Sequence, residues 1–224
     1  MNSKTLKDFC LRLAGKSRAL VARLIRRFVR PPIRQWRKRE FASPPPPAVK
    51  QAVLDRYSDS QCAWIETGTF YGNTTAFLAS IGRTVHSIEP QPELAARARE
   101  RFADNPNVTI IEALSEDCLD AVLSELTGSV RLWLDGHYSE GVTHKGPQDT
   151  PIRDELSIID RHRERFSDIA IMIDDLRMFD PDWPNAEGYP TRSELVLWAD
   201  QRNFWWTIEH DIFIASSRPL IVRS

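Results

Sequence analysis

The sequence predicts an α/β fold in which helices cover both faces of a mostly parallel, doubly wound β-sheet. From residue 49 onward, short runs rich in β-branched residues alternate with helical stretches. Such alternation is typical of doubly wound parallel sheets. Two of the runs, 130–134 and 169–173, are almost continuously apolar, as expected of strands that are buried on both faces.

Each predicted element follows from a local pattern. Gly82 ends the first helix, Ser115 is expected to cap the third, and Thr150-Pro151 should supply the N-cap and first position of the fourth. The predicted strands are 63–67, 84–89, 108–112, 130–134, 169–173, 204–208 and 212–215, with a last short run at 220–222. The predicted helices are 73–81, 92–102, 116–126, 150–166 and 191–202.

The composition is that of a globular protein with one main domain. The 224-residue chain is 42% hydrophobic and 27% charged, with a formal net charge of −1, which excludes collagen-like, coiled-coil and disulfide-scaffold classes. No stretch approaches the roughly 20 apolar residues of a membrane-spanning helix. The three cysteines lack metal-binding spacing, and their odd number argues against a full disulfide framework. A reducing cytoplasm is therefore expected.

The charge is divided unevenly along the chain. Residues 1–40 contain 13 of the 30 basic residues and two of the 31 acidic ones, a net charge of +11, so the remainder carries −12. Pro31-Pro32 is expected to stop any helix, and the four prolines at 44–47 favour an extended polyproline spacer. The sequence thus predicts a basic arm over 1–30, a linker over 31–48 and a folded domain over 49–224.

The basic arm has apolar residues at mostly three- to four-residue steps with Lys and Arg between them, the pattern of an amphipathic helix. One interpretation is a solvated, partly disordered tail. Another is a helix on an anionic membrane surface, which would make the protein peripheral at the inner membrane face. A mitochondrial presequence fits only in a eukaryote. Nucleic-acid binding is disfavoured because no base-reading motif accompanies the charge.

Polar residues follow the predicted strands, where ligands bind in doubly wound sheets. After the first strand, Gly68 and Gly72 permit a tight turn and a close approach of the backbone to a ligand. The turn is neither a G-x-G-x-x-G motif nor a P-loop, so an ordinary βα turn is the alternative. Glu89 ends the second strand, where a carboxylate can accept hydrogen bonds from both hydroxyls of a ribose.

In order and spacing, these motifs resemble class I S-adenosylmethionine-dependent methyltransferases over about residues 60–215. The resemblance is carried by Ile65-Glu66-Thr67-Gly68-Thr69, Gly72-Asn73-Thr74-Thr75, Ser87-Ile88-Glu89 with the helix after it, and Trp133-Leu134-Asp135-Gly136-His137-Tyr138. It implies a Rossmann-like sheet of seven strands, one of them antiparallel. It also implies that S-adenosylmethionine binds with its methionine part at the first turn and its ribose at Glu89. The implied cofactor-binding residues are Glu66, Thr67, Gly68, Thr69, Tyr71, Gly72, Asn73, Thr74, Glu89, Ser115 and Asp135.

The chain departs from this family in two places. Its first turn, Gly-Thr-Phe-Tyr-Gly, is looser than the usual G-x-G-x-G. After the third strand many members have an acid that meets the adenine amine, whereas this chain has Ala113-Leu114-Ser115. Leu114 cannot accept that hydrogen bond, so either Ser115 or Asp117 substitutes or the adenine contact is mainly apolar.

Three carboxylates follow the two central strands. Asp135 ends the fourth strand, and Asp174-Asp175 ends the fifth. If these strands are neighbours, the carboxylates converge and need either protons or a cation such as Mg²⁺, which prefers oxygen ligands. The arrangement resembles metal-dependent O-methyltransferases of the catechol and macrocin types, in which acids at these two places hold the metal. Alternatively, Asp175 caps the next segment and Asp135 touches only the cofactor.

His137, two residues after Asp135, is the candidate general base that would take a proton from a substrate hydroxyl, with Asp135 as its catalytic neighbour. A loop histidine bonded to backbone is the alternative. Tyr138 stands near where the catechol type has a lysine, and His144 and Lys145 are weaker candidates. Loops 136–149 and 176–190 are long enough to form a substrate lid. In the second loop, Trp183 and Tyr189 could stack on a ring, while Trp205-Trp206 is expected in the core.

The sequence therefore predicts an S-adenosylmethionine-dependent methyltransferase acting on a small hydroxylated acceptor, such as a sugar or glycan unit, with Mg²⁺ assisting. Two alternatives stay open. One is another transferase or a hydroxylase on the same fold. The other is a cofactor-free binding domain that the basic arm tethers to a membrane.

Overall fold

The computed structural model describes residues 30–136, 150–184 and 188–219. Within these residues, seven strands form one sheet in the order β3-β2-β1-β4-β5-β7-β6. They are β1 Ala63–Thr67, β2 Thr84–Ile88, β3 Val108–Ile111, β4 Gly128–Leu134, β5 Phe166–Ile173, β6 Trp205–Glu209 and β7 Ile212–Ser216. In this sheet β7 runs antiparallel to both of its neighbours, and the other pairs are parallel. The predicted α/β fold with a seven-stranded, mostly parallel sheet is confirmed.

The described helices are α1 Arg30–Lys38, α2 Pro47–Tyr57, α3 Asn73–Ile81, α4 Pro92–Arg101, α5 Ser115–Glu125, α6 Ile152–His162 and α7 Arg192–Gln201. Short 3-10 turns follow at Arg163–Arg165 and Leu176–Phe179. The helices α3, α4 and α7 match their predicted ranges to within a residue at each end. At the start of α7, Thr191 and Glu194 form a reciprocal capping box, which explains why that boundary was predictable.

Two predicted helix starts and one end are wrong. Leu114, not Ser115, is the N-cap of α5, because the chain enters the helix one residue earlier and buries Ser115 as its first residue. Pro151 rather than Thr150 is the N-cap of α6, although the Thr150 hydroxyl still accepts a hydrogen bond from the Ile152 N–H at 3.4 Å. The helix ends at His162 because the next residues form a 3-10 turn and Phe166 begins β5.

The apolar core forms on both faces of the sheet. Alternating strand residues point to opposite sides, so Ile65, Leu132 and Ile171 face α5, α6 and α7. On the other face, Trp64, Trp133 and Met172 pack with residues of α2 and α3. Burial on both faces explains the continuously apolar strands of the sequence.

The segment between the predicted arm and domain is folded against the domain. Pro31-Pro32 lies in the first turn of α1, where a missing N–H removes no helical hydrogen bond. The prediction that it stops a helix of the arm concerns residues before Arg30, which lie outside the described residues. Trp36 of α1 is buried, and its ring packs edge-on against His210 with centroids 5.5 Å apart. Pro45 and Pro46 are also buried. Residues 1–29 and the predicted run at 220–222 lie outside the described residues.

The tryptophans of β6 are exposed, which corrects the prediction that they belong to the core. Trp205 is 56% exposed and Trp206 is 36% exposed. The physical reason is topological, since β6 is the last strand of the sheet. The Trp206 indole N–H donates to Asp200 at 2.8 Å.

A buried ion pair joins the two central strands that lead to the predicted site. The Arg131 guanidinium of β4 donates to Asp168 of β5 at 2.5 Å, and both side chains are less than 10% exposed. Arg131 also donates to the Tyr57 carbonyl, which ties α2 to the sheet. At the far end of these strands, Leu134 pairs with Ile173, so the residues that follow both strands emerge side by side.

Candidate active site

A cleft of about 480 Å³ opens at the carboxyl ends of β1, β4 and β5. One part of its wall is the turn after β1, residues 68–71, with Asn73 and Thr74 of α3. A second part is the acidic trio, defined as Asp135, Asp174 and Asp175. A third part comes from the N-terminal segment, through prolines 44, 45 and 47 and Lys50. The sequence predicted the first two parts of this wall but not the third.

The turn after β1 depends on glycine at two positions. Gly68 has a φ of +89°, and a Cβ there would lie 2.5 Å from the Asp135 carbonyl oxygen. Gly72 has a φ of +70°, and a Cβ there would lie 2.8 Å from the Phe102 ring. Any larger residue at Gly68 must therefore move the backbone next to the acidic trio, which explains the glycine that the sequence shows.

Glu66 anchors this turn from below. It is fully buried, and its Oε2 accepts hydrogen bonds from the Thr75 hydroxyl at 2.5 Å and the Ser87 hydroxyl at 2.6 Å. Burial raises the pKa of Glu66 to about 7, although the two hydroxyls oppose that shift. Glu66 and the buried Thr67 do not line the cleft. They lie beneath the turn after β1 and support it.

Glu89 is held at the end of β2 by backbone N–H groups. Its Oε2 accepts from the Phe70 N–H at 2.7 Å and its Oε1 from the Gln91 N–H at 3.0 Å. A carboxylate oxygen has more than one acceptor position, so both oxygens keep capacity for a ligand hydroxyl. The carboxylate is pre-positioned beside the glycine turn, but Glu89 is only 3% exposed and, like Glu66 and Thr67, is absent from the wall of the cleft.

A buried glutamate without a distinguishing sequence pattern lies beside Thr67, at the end of β1, and Ser115. Glu155 of α6 is fully buried, and among the described residues neither of its oxygens has a partner at hydrogen-bonding distance. Burial raises its pKa to about 7, which the nearby Ser115 and Thr67 side chains oppose. The sequence shows Glu155 only as an acid in the first turn of a helix.

The acidic trio converges as predicted. Asp135 and Asp174 follow paired strands, and the Asp174 N–H donates to the Leu134 carbonyl at 3.0 Å. One carboxylate oxygen from each of the three residues lies within 4.8 Å of the others. Asp174 is only 3% exposed, and burial, followed by the charges of Asp135 and Asp175, raises its pKa to about 8.

Two cationic side chains from other elements contact the trio. Lys50 of α2 places its Nζ 2.5 Å from Asp174 Oδ2 and 2.9 Å from Asp175 Oδ1. Arg177 donates to Asp175 Oδ1 at 2.7 Å and also contacts Asp211. Burial alone would lower the pKa of Lys50, but Asp174 and Asp175 outweigh it and raise that pKa. Arg177 follows Asp175 by two residues, whereas no local pattern indicates Lys50.

The carboxylates of the trio are suitable ligands for a hard cation, but two of them are already paired with a lysine. Its three carboxylates offer the oxygen ligands that Mg²⁺ prefers. Lys50, however, already binds two of them.

Several predicted substrate-side residues fall outside this geometry. His137, Tyr138, His144 and Lys145 lie outside the described residues. Tyr189 is only 8% exposed and packs edge-on against Phe179, so it is a core residue rather than a stacking surface. Trp183 is 37% exposed, with the Arg177 guanidinium 5.9 Å from its ring centroid.

Comparison with known proteins identifies the fold. No protein-family model and no curated protein matches the sequence. A Clostridium thermocellum protein proposed to be an rRNA methylase has a TM-score of 0.50 and 14% identity, over 75% of this chain and 93% of that one. A Streptococcus mutans protein proposed to be a methyltransferase, solved with S-adenosylhomocysteine, has a TM-score of 0.49 and 16% identity, over 75% and 94%. At this identity the likeness concerns architecture, and the chain has the Rossmann-like methyltransferase fold.

Proposed function

We propose that the protein is an S-adenosylmethionine-dependent methyltransferase. The observation that carries this proposal is a single cleft whose wall contains both a pre-formed glycine turn and three converging carboxylates. Glu89 beside the turn would bind the ribose hydroxyls, and the turn at 68–71 would bind the methionine part. S-adenosylmethionine would supply an electrophilic methyl group at the Asp135 side of the cleft.

We propose a small hydroxylated acceptor, such as a sugar unit, as the substrate. Its oxygen would attack the methyl carbon while the carbon–sulfur bond breaks, and its proton would pass to a base, for which His137 stays the predicted residue. The acceptor oxygen would be oriented toward the methyl carbon by the cleft walls, which are formed by Lys50, the N-terminal prolines and the trio. Such alignment supplies much of the rate gain in methyl transfer.

The finer proposal is that Asp135, Asp174 and Asp175 hold a divalent cation such as Mg²⁺. A cation bound to these oxygens would lower the pKa of the acceptor hydroxyl. The convergence of three carboxylate oxygens within 4.8 Å of one another supports this proposal, because Mg²⁺ prefers such ligands; Lys50, which contacts two of these carboxylates, would have to leave them.

Cofactor binding is tested by calorimetric titration of the full chain with S-adenosylhomocysteine. The wild type should bind it, and Glu89→Ala should weaken binding by roughly 10- to 100-fold, the value of hydrogen bonds to a charged group. Glu112→Ala is the matched control, because Glu112 lies at the end of the neighbouring strand and pairs with Arg99 on the surface. Absence of binding by the wild type would contradict the proposal.

The acceptor is tested by transfer of a labelled methyl group to a panel of small hydroxylated compounds and to ribosomal RNA. RNA is included because solved proteins with this fold carry rRNA methylase names. We expect label in the small acceptors, and loss of transfer on chelation or in Asp174→Ala. Label in RNA alone would rule out the proposed acceptor, while transfer insensitive to both treatments would rule out the metal.

A further inference from the structure

Lys50 joins the N-terminal segment to the acidic trio. It lies in the first turn of α2, and the prolines at 44, 45 and 47 beside it line the same cleft. Its Nζ contacts Asp174 at 2.5 Å and Asp175 at 2.9 Å, while its side chain is 19% exposed. Lys50 and Asp174 are thus far apart in the domain sequence, and their contact lies in the proposed acceptor site.

The ammonium and a divalent cation would need the same carboxylates. Arg177 competes less directly with a metal, because its guanidinium is shared between Asp175 and Asp211. A metal bound to Asp174 and Asp175 would sit within a few ångströms of the Lys50 Nζ, where two cations repel strongly. A lysine side chain is a flexible stem with a strongly hydrated point charge, so it can leave for solvent where a rigid group could not.

We propose that Lys50 is a tethered cation that competes with a divalent metal for the acidic trio. Without metal, its ammonium neutralises Asp174 and Asp175; metal binds when the ammonium leaves them. The inference rests on the metal site of the proposed function and assigns the residue that sets its affinity.

The test is Mn²⁺ binding to the full chain, measured by electron paramagnetic resonance without acceptor. Lys50→Met should bind Mn²⁺ more tightly than the wild type by about tenfold, the scale on which partners of metal ligands alter affinity. Lys50→Arg should stay close to the wild type because it keeps the positive charge. Lys38→Met, an exposed lysine of α1, is the matched control and should not change the affinity.

Two further measurements guard against a folding defect and assign the site. Mn²⁺ should raise the thermal midpoint of Lys50→Met, and of Lys50→Gln as a second variant, more than that of the wild type. Adding Asp174→Asn to Lys50→Met should abolish the gain. The Lys50 proposal is overturned if the wild type, Lys50→Met and Lys50→Gln bind Mn²⁺ with equal affinity, or if none of the three binds it.

Titration with S-adenosylhomocysteine on the same samples separates this result from the proposed function. Tight Mn²⁺ binding that ignores Lys50 leaves the metal site standing and removes only the competition. Failure to bind S-adenosylhomocysteine removes the proposed cofactor, whatever Mn²⁺ does.

Discussion

At the scale of single residues, buried carboxyl groups mark the site. Asp174, Glu66 and Glu155 are all almost completely buried, and each has a raised pKa. Their surroundings differ: Asp174 has an ammonium partner, Glu66 has two hydroxyl donors, and Glu155 has no hydrogen-bond partner among the described residues. Of the three, only Asp174 lies in the wall of the cleft, where a buried carboxyl group with a charged partner is typical of a functional site.

Glu155→Gln should reduce the loss of stability at high pH. The pKa of Glu155 is about 7 in the folded chain, above its ordinary value of 4.5. The unfolded chain therefore releases this proton from about pH 4.5 upward, while the folded chain keeps it to about pH 7, and stability falls as pH rises between the two. The difference is on the order of 3 kcal/mol.

Urea unfolding of the wild type and Glu155→Gln at pH 5 and pH 8 measures this effect. The variant should lose less stability between the two pH values. Glu66 contributes a dependence of the same sign in both proteins and cancels in the comparison. Parallel pH profiles would show that Glu155 ionises normally in the folded state.

At the scale of elements, the turn between β1 and α3 organises the cleft. Its glycines were visible in the sequence, and so was the carboxylate after β2. The sequence did not indicate that the Phe70 N–H holds Glu89 or that the Thr75 and Ser87 hydroxyls hold Glu66, although Thr75 and Ser87 belong to the motifs that carry the family resemblance. A hydroxyl that supports a turn and one that faces solvent look alike in a sequence, because the difference is burial.

Gly68→Ala should damage the cofactor site, and Gly128→Ala should not. Both glycines have positive φ values, +89° and +81°, so either substitution should cost about 1–2 kcal/mol of stability. A Cβ at Gly68 additionally meets the Asp135 carbonyl at 2.5 Å, whereas one at Gly128 has nothing within 4 Å. Calorimetry with S-adenosylhomocysteine should show weaker binding only for Gly68→Ala, and equal binding by the two variants would refute the role of this turn.

At the scale of the whole molecule, positive charge is concentrated toward the N-terminal end of the chain. Helix α1 presents exposed basic residues at Arg34, Arg37 and Lys38 and continues the basic composition of the arm. Among the described residues, no helix is both long and apolar enough to cross a bilayer. That residues 1–30 bring the protein to an anionic membrane surface stays a proposal, based on their basic, amphipathic sequence pattern.

The full chain should sediment with vesicles that contain phosphatidylserine and not with neutral phosphatidylcholine vesicles. Each basic residue near an anionic surface contributes about 1 kcal/mol, and salt weakens the effect. Removal of residues 1–29 should reduce pelleting while α1 and its Trp36 contact stay in place. Equal pelleting of the two chains, or equal pelleting with both kinds of vesicle, would exclude this role.

The sequence by itself indicated the strands, most helices, the glycine turn and the carboxylates that follow β2, β4 and β5, whereas the meeting of Asp135 with Asp174-Asp175 depended on β4 and β5 being neighbours, which the tertiary structure decided. The features that the sequence indicated are local, because strand periodicity, helix caps and turn residues act over a few neighbours. Only the tertiary structure decided that Lys50 and the prolines before it line the cleft, that Glu155 is buried without a hydrogen-bond partner in the described part of the chain, and that the β6 tryptophans are exposed. These features depend on which distant segments meet, and Lys50 and Asp174 are 124 residues apart in sequence, a separation over which no local pattern carries information.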